Sequence, residues 1–289
     1  MDEENFDGES IIDGLDQDIT DSLVRFGDDM QAAEVQLLER IQGRLDGLDL
    51  DARGNVKKSA ENLKRINDVR REFRAAELDG KYSQGVQRLV KSFAVQAKVL
   101  DGYFTSLRID YKAGKKLYGA VVEEYITATT AELYAGNLAG FVEPQITQIL
   151  RTHVSAGAPI KQLRAQVSAG MTGTAKARAE TIADNALNQF SRNYIQAVSD
   201  DLGLEHYFYK GTVIETSREF CRERVGKYYT LAEVLDWADL KFSGKIKGTD
   251  RTNIITNLGG NRCRHRLIPI TKTLYDAKTG KSGQLTLFK

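Results

Sequence analysis

Two short segments near the end of the chain hold the residues best suited to chemistry. They are Thr216-Ser217-Arg218-Glu219-Phe220-Cys221 and Gly259-Gly260-Asn261-Arg262-Cys263-Arg264-His265, and together they contain both cysteines and one of the three histidines. Thiolate and imidazole are ligands that suit zinc, so Cys221, Cys263 and His265 are candidates for a metal site, with His206 or an acid such as Glu223 as candidates for a fourth ligand. Two other readings stand beside this one. The same residues can form a Cys221–Cys263 disulfide, or a reduced, metal-free microcore. No Cys-x-x-Cys occurs and the nearby set falls short of four ligands, so the metal-free core is the expectation and no cofactor is assigned. A nucleophilic Cys221 with His265 as its base lacks an identifiable oxyanion donor and orienting acid, so no catalytic residue is assigned.

Arginines alternate through the second segment at positions 262, 264 and 266. If 262–266 is extended, Arg262, Arg264 and Arg266 share one face while Cys263 and His265 share the other. With Lys241, Lys245, Lys247 and Arg251, these arginines are candidates for contact with DNA phosphates or with an acidic partner. The alternative is an ordinary solvated face.

Helices and a small mixed module must position these segments. Pro144, Pro159 and Pro269 are the only prolines, so nothing before residue 144 interrupts a helix on that account. Leu38, Ile41, Leu45 and Leu48 follow helical spacing. Val86, Leu89, Phe93, Ala97, Leu100, Phe104 and Leu107 form one longer stripe near coiled-coil spacing. An Asp- and Gly-rich turn separates the stripes over 48–54, and a helix over 61–78 places Leu63, Ile66 and Phe73 inside. Helical pattern continues from Lys115 to Val154 with interruptions near Gly136 and Gly140. The step Ser155-Ala156-Gly157-Ala158-Pro159 ends one helix and begins the next. A further helix carries Ala179, Ala183, Leu187, Phe190, Tyr194 and Val198 on one face and stops at Gly203. Beyond it the period shortens: residues 206–209 and 212–214 predict a β-hairpin turning at Lys210-Gly211. Thr230-Leu231-Ala232-Glu233 is a capping box that starts a helix with Val234, Leu235 and Trp237. Residues 241–262 predict a loop. Leu274-Tyr275 and Leu285-Thr286-Leu287-Phe288 predict a terminal hairpin. The fold class is therefore mainly α: an elongated N-terminal helical bundle over 1–145, a small α+β module with β-hairpins over 146–270, and a C-terminal hairpin or tail over 271–289.

Composition narrows the function classes. With 289 residues, 28% charged and 41% hydrophobic, the chain is ordinary globular material. No apolar run reaches the ~20 residues of a membrane span. The acidic start does not resemble a signal peptide, and two cysteines do not build a disulfide scaffold, so folding in a reducing cytoplasm is expected. The net charge of +1 conceals an asymmetry: residues 1–30 hold eleven acids against Arg25, and 241–289 hold eleven bases against Asp250 and Asp276. Such ends can meet unlike surfaces or each other.

Over residues 146–270 the chain resembles the Mu F-like minor head proteins of tailed bacteriophages, the head-morphogenesis family. The resemblance rests on the helix–Ser155-Ala156-Gly157-Ala158-Pro159–helix step and on the Ala/Asn-rich helix around Arg178, Thr181, Asn185 and Asn188. It continues through Tyr209-Lys210-Gly211, Thr216 to Cys221 with Gly226-Lys227, and Gly259 to His265. Many relatives carry a further cysteine where this chain has Arg218. The resemblance implies a non-enzymatic virion protein near the portal vertex, made in the host cytoplasm and acting in head assembly, DNA packaging or delivery. Its expected partners are the portal protein and other head components, and phage DNA is a further candidate. The alternatives are a DNA-binding module that uses the basic patch, or a Cys-dependent enzyme or toxin-associated module.

Overall fold

Gly8–Asp46 form a single helix, α1, because its apolar residues keep to one face. Ile12, Leu15, Ile19, Phe26, Met30, Ala33, Leu37, Ile41 and Leu45 are all buried, and their spacing is the 3-4 rhythm of an amphipathic helix. The computed structural model describes residues 8–78, 80–113 and 115–280. Helices α2 (Ala60–Leu78), α3 (Lys81–Ser106), α4 (Lys116–Gly136), α5 (Glu143–Ala156), α6 (Ile160–Met171) and α7 (Thr174–Leu202) follow. Before residue 145 the only β pairing among the described residues is isolated bridges, Leu50 with Val56 and Asn55 with Pro159. Packing divides the chain into two units. One takes residues up to 19, 93–125 and from 184 onward; the other takes 20–92 and 126–183. These units are discontinuous and do not follow the ranges 1–145, 146–270 and 271–289.

In the second of these units, α2 packs on α5 and α5 on α6. The inward face of α2 carries Asn62, Ile66, Val69 and Phe73, whereas Leu63, expected inside, is exposed. Asn62 takes the buried place because it ties down the preceding turn. Its Oδ1 accepts from the Asp49 amide at 2.9 Å, and its Nδ2 donates to Asp49 O at 3.0 Å and Lys57 O at 2.8 Å. Two buried acids satisfy helix starts. Glu77 accepts from the Ala139 amide at 2.8 Å, and Glu34 accepts from the amides of Gly173, Ala175 and Lys176 at the start of α7. Free N–H groups and the positive end of the helix dipole make that position favourable for a carboxylate. The interruption expected near Gly136 and Gly140 is a single π-helical turn, Leu138–Val142. A Cβ on Gly140 would lie 1.9 Å from Ala135 O, so only glycine fits there. Gly157 ends α5 in the left-handed conformation at φ 67°, and Pro159 caps α6.

In the other unit the stripe of α3 is buried as the spacing requires. Phe93 is fully enclosed, with its ring 5.0 Å from Phe190 and 5.8 Å from Tyr125. Leu187, Phe190, Tyr194 and Val198 of α7 are buried in this unit, as are Ala179 and Ala183 of the same helix in the unit that holds α2 and α5. A three-stranded antiparallel sheet lies in this unit: β1 (His206–Lys210) sits between β2 (Tyr228–Thr230) and β3 (Arg266–Ile270). The register sets Tyr207 opposite Tyr229 and Pro269, and Lys210 opposite Arg266. Pro269 is accommodated because β3 is an edge strand.

Two strand expectations are corrected. The hairpin over 206–214 does not form: β1 already has a partner on each side, and Val213 and Ile214 stand exposed instead. The terminal hairpin is replaced by helix α11 (Lys272–Thr279), whose start is capped by the Thr271 hydroxyl and whose end is the left-handed Gly280. Its expected second strand at 285–288 lies outside the described residues, as do Asp2 to Asp7 of the acidic start. The capping box is found as read: Thr230 and Glu233 bond reciprocally at the start of α9 (Leu231–Asp236). Within the predicted loop 241–262 one helical turn forms, α10 (Ile254–Asn257).

Two substitutions test this packing. Asn62→Leu strands the buried peptide groups of the 49–57 turn and should lower the unfolding free energy by about 2–4 kcal/mol in urea titrations. Phe93→Ala should cost about 3–5 kcal/mol by the same measurement, since it empties the centre of an aromatic cluster.

Candidate functional site

The site is built on the apolar core beneath the sheet. Tyr207 and Tyr209 of β1 point into a cluster with Phe220, Val234, Trp237, Ile254, Ile255, Leu258 and Leu267. Cys221 enters from the short helix α8 (Glu219–Arg222), and Cys263 and His265 enter from the segment that leads into β3. The three come together as the sequence suggested. Cys221 Sγ lies 3.9 Å from Cys263 Sγ, and Cys263 Sγ lies 3.7 Å from His265 Nδ1. Both thiols are free, so the disulfide is not formed. The Tyr209 hydroxyl stands 3.5 Å from Cys221 Sγ. His206 instead packs its ring on Tyr275, 4.6 Å between centroids.

Glycines make this convergence sterically feasible. A Cβ on Gly259 would fall 2.5 Å from Cys221 Sγ and 3.0 Å from Cys263 Sγ. A Cβ on Gly211 would fall 2.4 Å from His265 Cδ2. The glycine read as a turn residue is therefore required for a close approach. Gly260, at φ 91°, has its would-be Cβ 1.8 Å from Gly244 O, so the two loops pass backbone to backbone. Arg218 lies over Gly244 and donates to Asn261 O at 2.8 Å, bridging the two sequence segments.

The electrostatics of the pair are asymmetric. The hydrogen bond from Cys221 pulls Cys263 well below the ordinary thiol range, helped by His265 and Arg192. The same bond, with burial, pushes Cys221 upward. Arg192 of α7 is buried; its Nε donates to Asn188 O at 3.0 Å and its Nη1 has no partner. Burial pulls its guanidinium downward, and the neighbouring Cys263 opposes that effect.

The arginines divide into two kinds. Arg262 and Arg264 are exposed and both reach the buried carboxylate of Asp184, at 3.4 and 3.5 Å. The Arg262 amide also donates to Asn185 Oδ1 at 2.8 Å. Arg266 overturns the expected alternation. It is 1% exposed, its Nη1 pairs with Asp16 of α1, and its Nη2 donates to Asn188 Oδ1 at 3.2 Å. The cause is that 262–266 is not extended: Arg262 has φ 56° and the strand begins only at Arg266. Arg266 is thus an internal ion-pair partner and cannot serve as a surface contact. Lys210 pairs with Asp13 at 2.8 Å, so acids near the start of the chain meet bases of the module within one molecule.

The rest of the basic patch is partly committed. Lys245 Nζ donates to Ala238 O and to Leu240 O, and Arg251 pairs with Asp236 at 2.6 Å and Asp239 at 3.3 Å. Lys241 and Lys247 are exposed. Residues that the sequence did not single out are Asp16, Asp184 and Arg192, and Tyr209 figured only in the resemblance and the predicted strand, not as a site residue. Asp184, Asn188 and Arg192 recur every fourth residue along α7. That polar row beside an apolar face was the available signal.

No protein-family model matches the chain, and neither a curated protein nor a solved structure does.

Asp16→Ala should leave the Arg266 guanidinium buried without its counter-charge and lower stability by about 3–5 kcal/mol in chemical denaturation. Gly259→Ala should cost about 1–3 kcal/mol by forcing the two sulfurs apart. Cys221→Ala should relieve part of that cost, a coupling that a double-mutant cycle reads directly.

Proposed function

We propose that this chain is a structural minor head protein of a tailed bacteriophage, built into the head beside the portal and acting in assembly or DNA delivery. One observation carries the reading: the residues of the family resemblance are mutually in contact. Cys221 meets Cys263, Arg218 bonds to Asn261, and Asn185 bonds to the Arg262 amide. Scattered matches in sequence would have no reason to assemble around one centre. The burial of both thiols, 2% and 3% exposed, weighs against a nucleophile that a substrate could reach. Internal pairing of Lys245 and Arg251 weighs against a dense phosphate-binding patch.

On this reading Arg262 and Arg264, with Lys247, form the face that meets an acidic partner such as the portal protein. Charges at such a rim act on encounter rate and register more than on affinity. The double variant Arg262→Gln, Arg264→Gln keeps N–H donors near Asp184. Because it removes both cations facing the buried Asp184, it should lower the melting temperature by several degrees while the chain still folds, and lower incorporation of the folded protein into heads by roughly tenfold, read by quantitative mass spectrometry of purified particles. Normal incorporation would refute the docking face. Particles that lack this chain, or that show no cross-link between it and the portal, would refute the function.

A further inference from the structure

We propose that Cys221, Cys263 and His265 bind one zinc ion as a buried structural site, with the Tyr209 hydroxyl as the fourth donor. The inference is independent of the phage reading, since it rests on the distances, burial and steric setting of these side chains. Zinc bonds of about 2.3 Å to sulfur and about 2.0–2.1 Å to nitrogen, set at tetrahedral angles, give edges of about 3.8 Å between sulfurs and about 3.6 Å from sulfur to nitrogen. The observed edges are 3.9 Å from Sγ to Sγ and 3.7 Å from Cys263 Sγ to His265 Nδ1, and all three candidate ligand atoms lie within 4.8 Å of one another. Tyr209 adds an oxygen 3.5 Å from Cys221 Sγ, a third edge of similar length.

Ordinary packing of two thiols accounts for one such edge but not for the rest of the arrangement. His265 is 6% exposed, and its Nδ1 faces only the Cys263 sulfur. A buried imidazole nitrogen whose sole partner is a thiol sulfur is better satisfied by a cation held between the two. The glycines at 211 and 259 leave the space that lets His265 and both sulfurs converge. Binding displaces the two thiol protons to solvent and leaves two thiolates and a neutral imidazole on the metal. Cys221 and Cys263 are 2% and 3% exposed, so the site has no face open to a substrate. That enclosure assigns the ion a structural role, tying α8 to the segment before β3.

The test uses the full chain purified under reducing conditions, with zinc measured by elemental analysis and the site probed by cobalt(II) substitution. The expected result is about one zinc per chain, and a cobalt form showing tetrahedral d–d bands with thiolate-to-cobalt charge transfer. Cys263→Ser and His265→Gln should each weaken zinc retention against a chelator by at least about tenfold. Tyr209→Phe should retain the charge-transfer band and alter the d–d bands. The wild-type measurements do not depend on any variant folding. A chain that takes up neither zinc nor cobalt, or whose intact mass shows a Cys221–Cys263 disulfide under those conditions, would overturn the proposal. A cobalt spectrum that is octahedral and lacks thiolate charge transfer would overturn it as well.

Discussion

The buried guanidinium of Arg266 is the constraint around which its unit is arranged. A charge in a protein interior is tolerated only with a counter-charge and with its hydrogens placed. Arg266 obtains its counter-charge from Asp16, 250 residues earlier in the chain, and a further acceptor from Asn188 on α7, while its Nε has no partner among the described residues. Three elements far apart in sequence must therefore be correctly placed together. Replacing the pair with apolar residues of equal volume can be neutral in stability, so its role lies in fixing which strand sits against which helix. Asn188 holds a second charge in place by bonding to Asp184, whose carboxylate draws in Arg262 and Arg264. One row of polar residues on α7 thus sets the path of the chain immediately before and after Cys263.

That path determines the geometry of the sulfur–imidazole centre. Cys263 and His265 lie between the anchored Arg262 and the anchored Arg266, which leaves little freedom to withdraw from Cys221. On the other side, Arg218 is fixed by its bond to Asn261 and by its passage over Gly244. Aromatic packing supports α8 from below: Phe220 stacks on Phe242 at 4.1 Å, and Arg224 lies 4.0 Å over the Phe220 ring. Cation–π contact of this kind adds a modest, directional stabilisation. The centre is preorganised by its surroundings and does not depend on its own weak S–H hydrogen bonds.

The helical part of the molecule was legible because its signal is long. The stripe from Val86 to Leu107 and the face from Ala179 to Val198 repeat over several turns, and each residue named there is buried. Local chemistry was legible too: the Thr230–Glu233 capping box is read from four residues and is satisfied within them. The strands were less so. A hairpin at 206–214 was locally reasonable, but β1 pairs with segments about twenty and sixty residues away, a choice that no local pattern encodes. The alternation of Arg262, Arg264 and Arg266 failed for a related reason. It assumed an extended backbone at Arg262, and it could not foresee that Asp16 would make an interior place for one arginine. The cysteine–histidine cluster was legible as a set of residue types; the place of Tyr209 beside Cys221, the burial of Arg192 and the steric role of Gly211 came only with the fold.

The interleaved course of the chain bears on how it is made. Gly8–Ile19 belong to the same packing unit as β3, and the partner of Asp16 lies at position 266. Synthesis runs from the N-terminal side, so Asp16, in the first turns of α1, has no Arg266 to pair with until position 266 has been made. Contacts of such long sequence separation slow folding, because loop closure must precede the reward of packing. During that interval Ile12, Leu15 and Ile19 are the part of the α1 stripe most open to wrong partners. Its many acids, Asp13, Asp16, Asp18 and Asp21 among them, keep the waiting helix soluble by charge. The charge that pairs with Arg266 in the folded unit thus also bears on the order in which that unit can form.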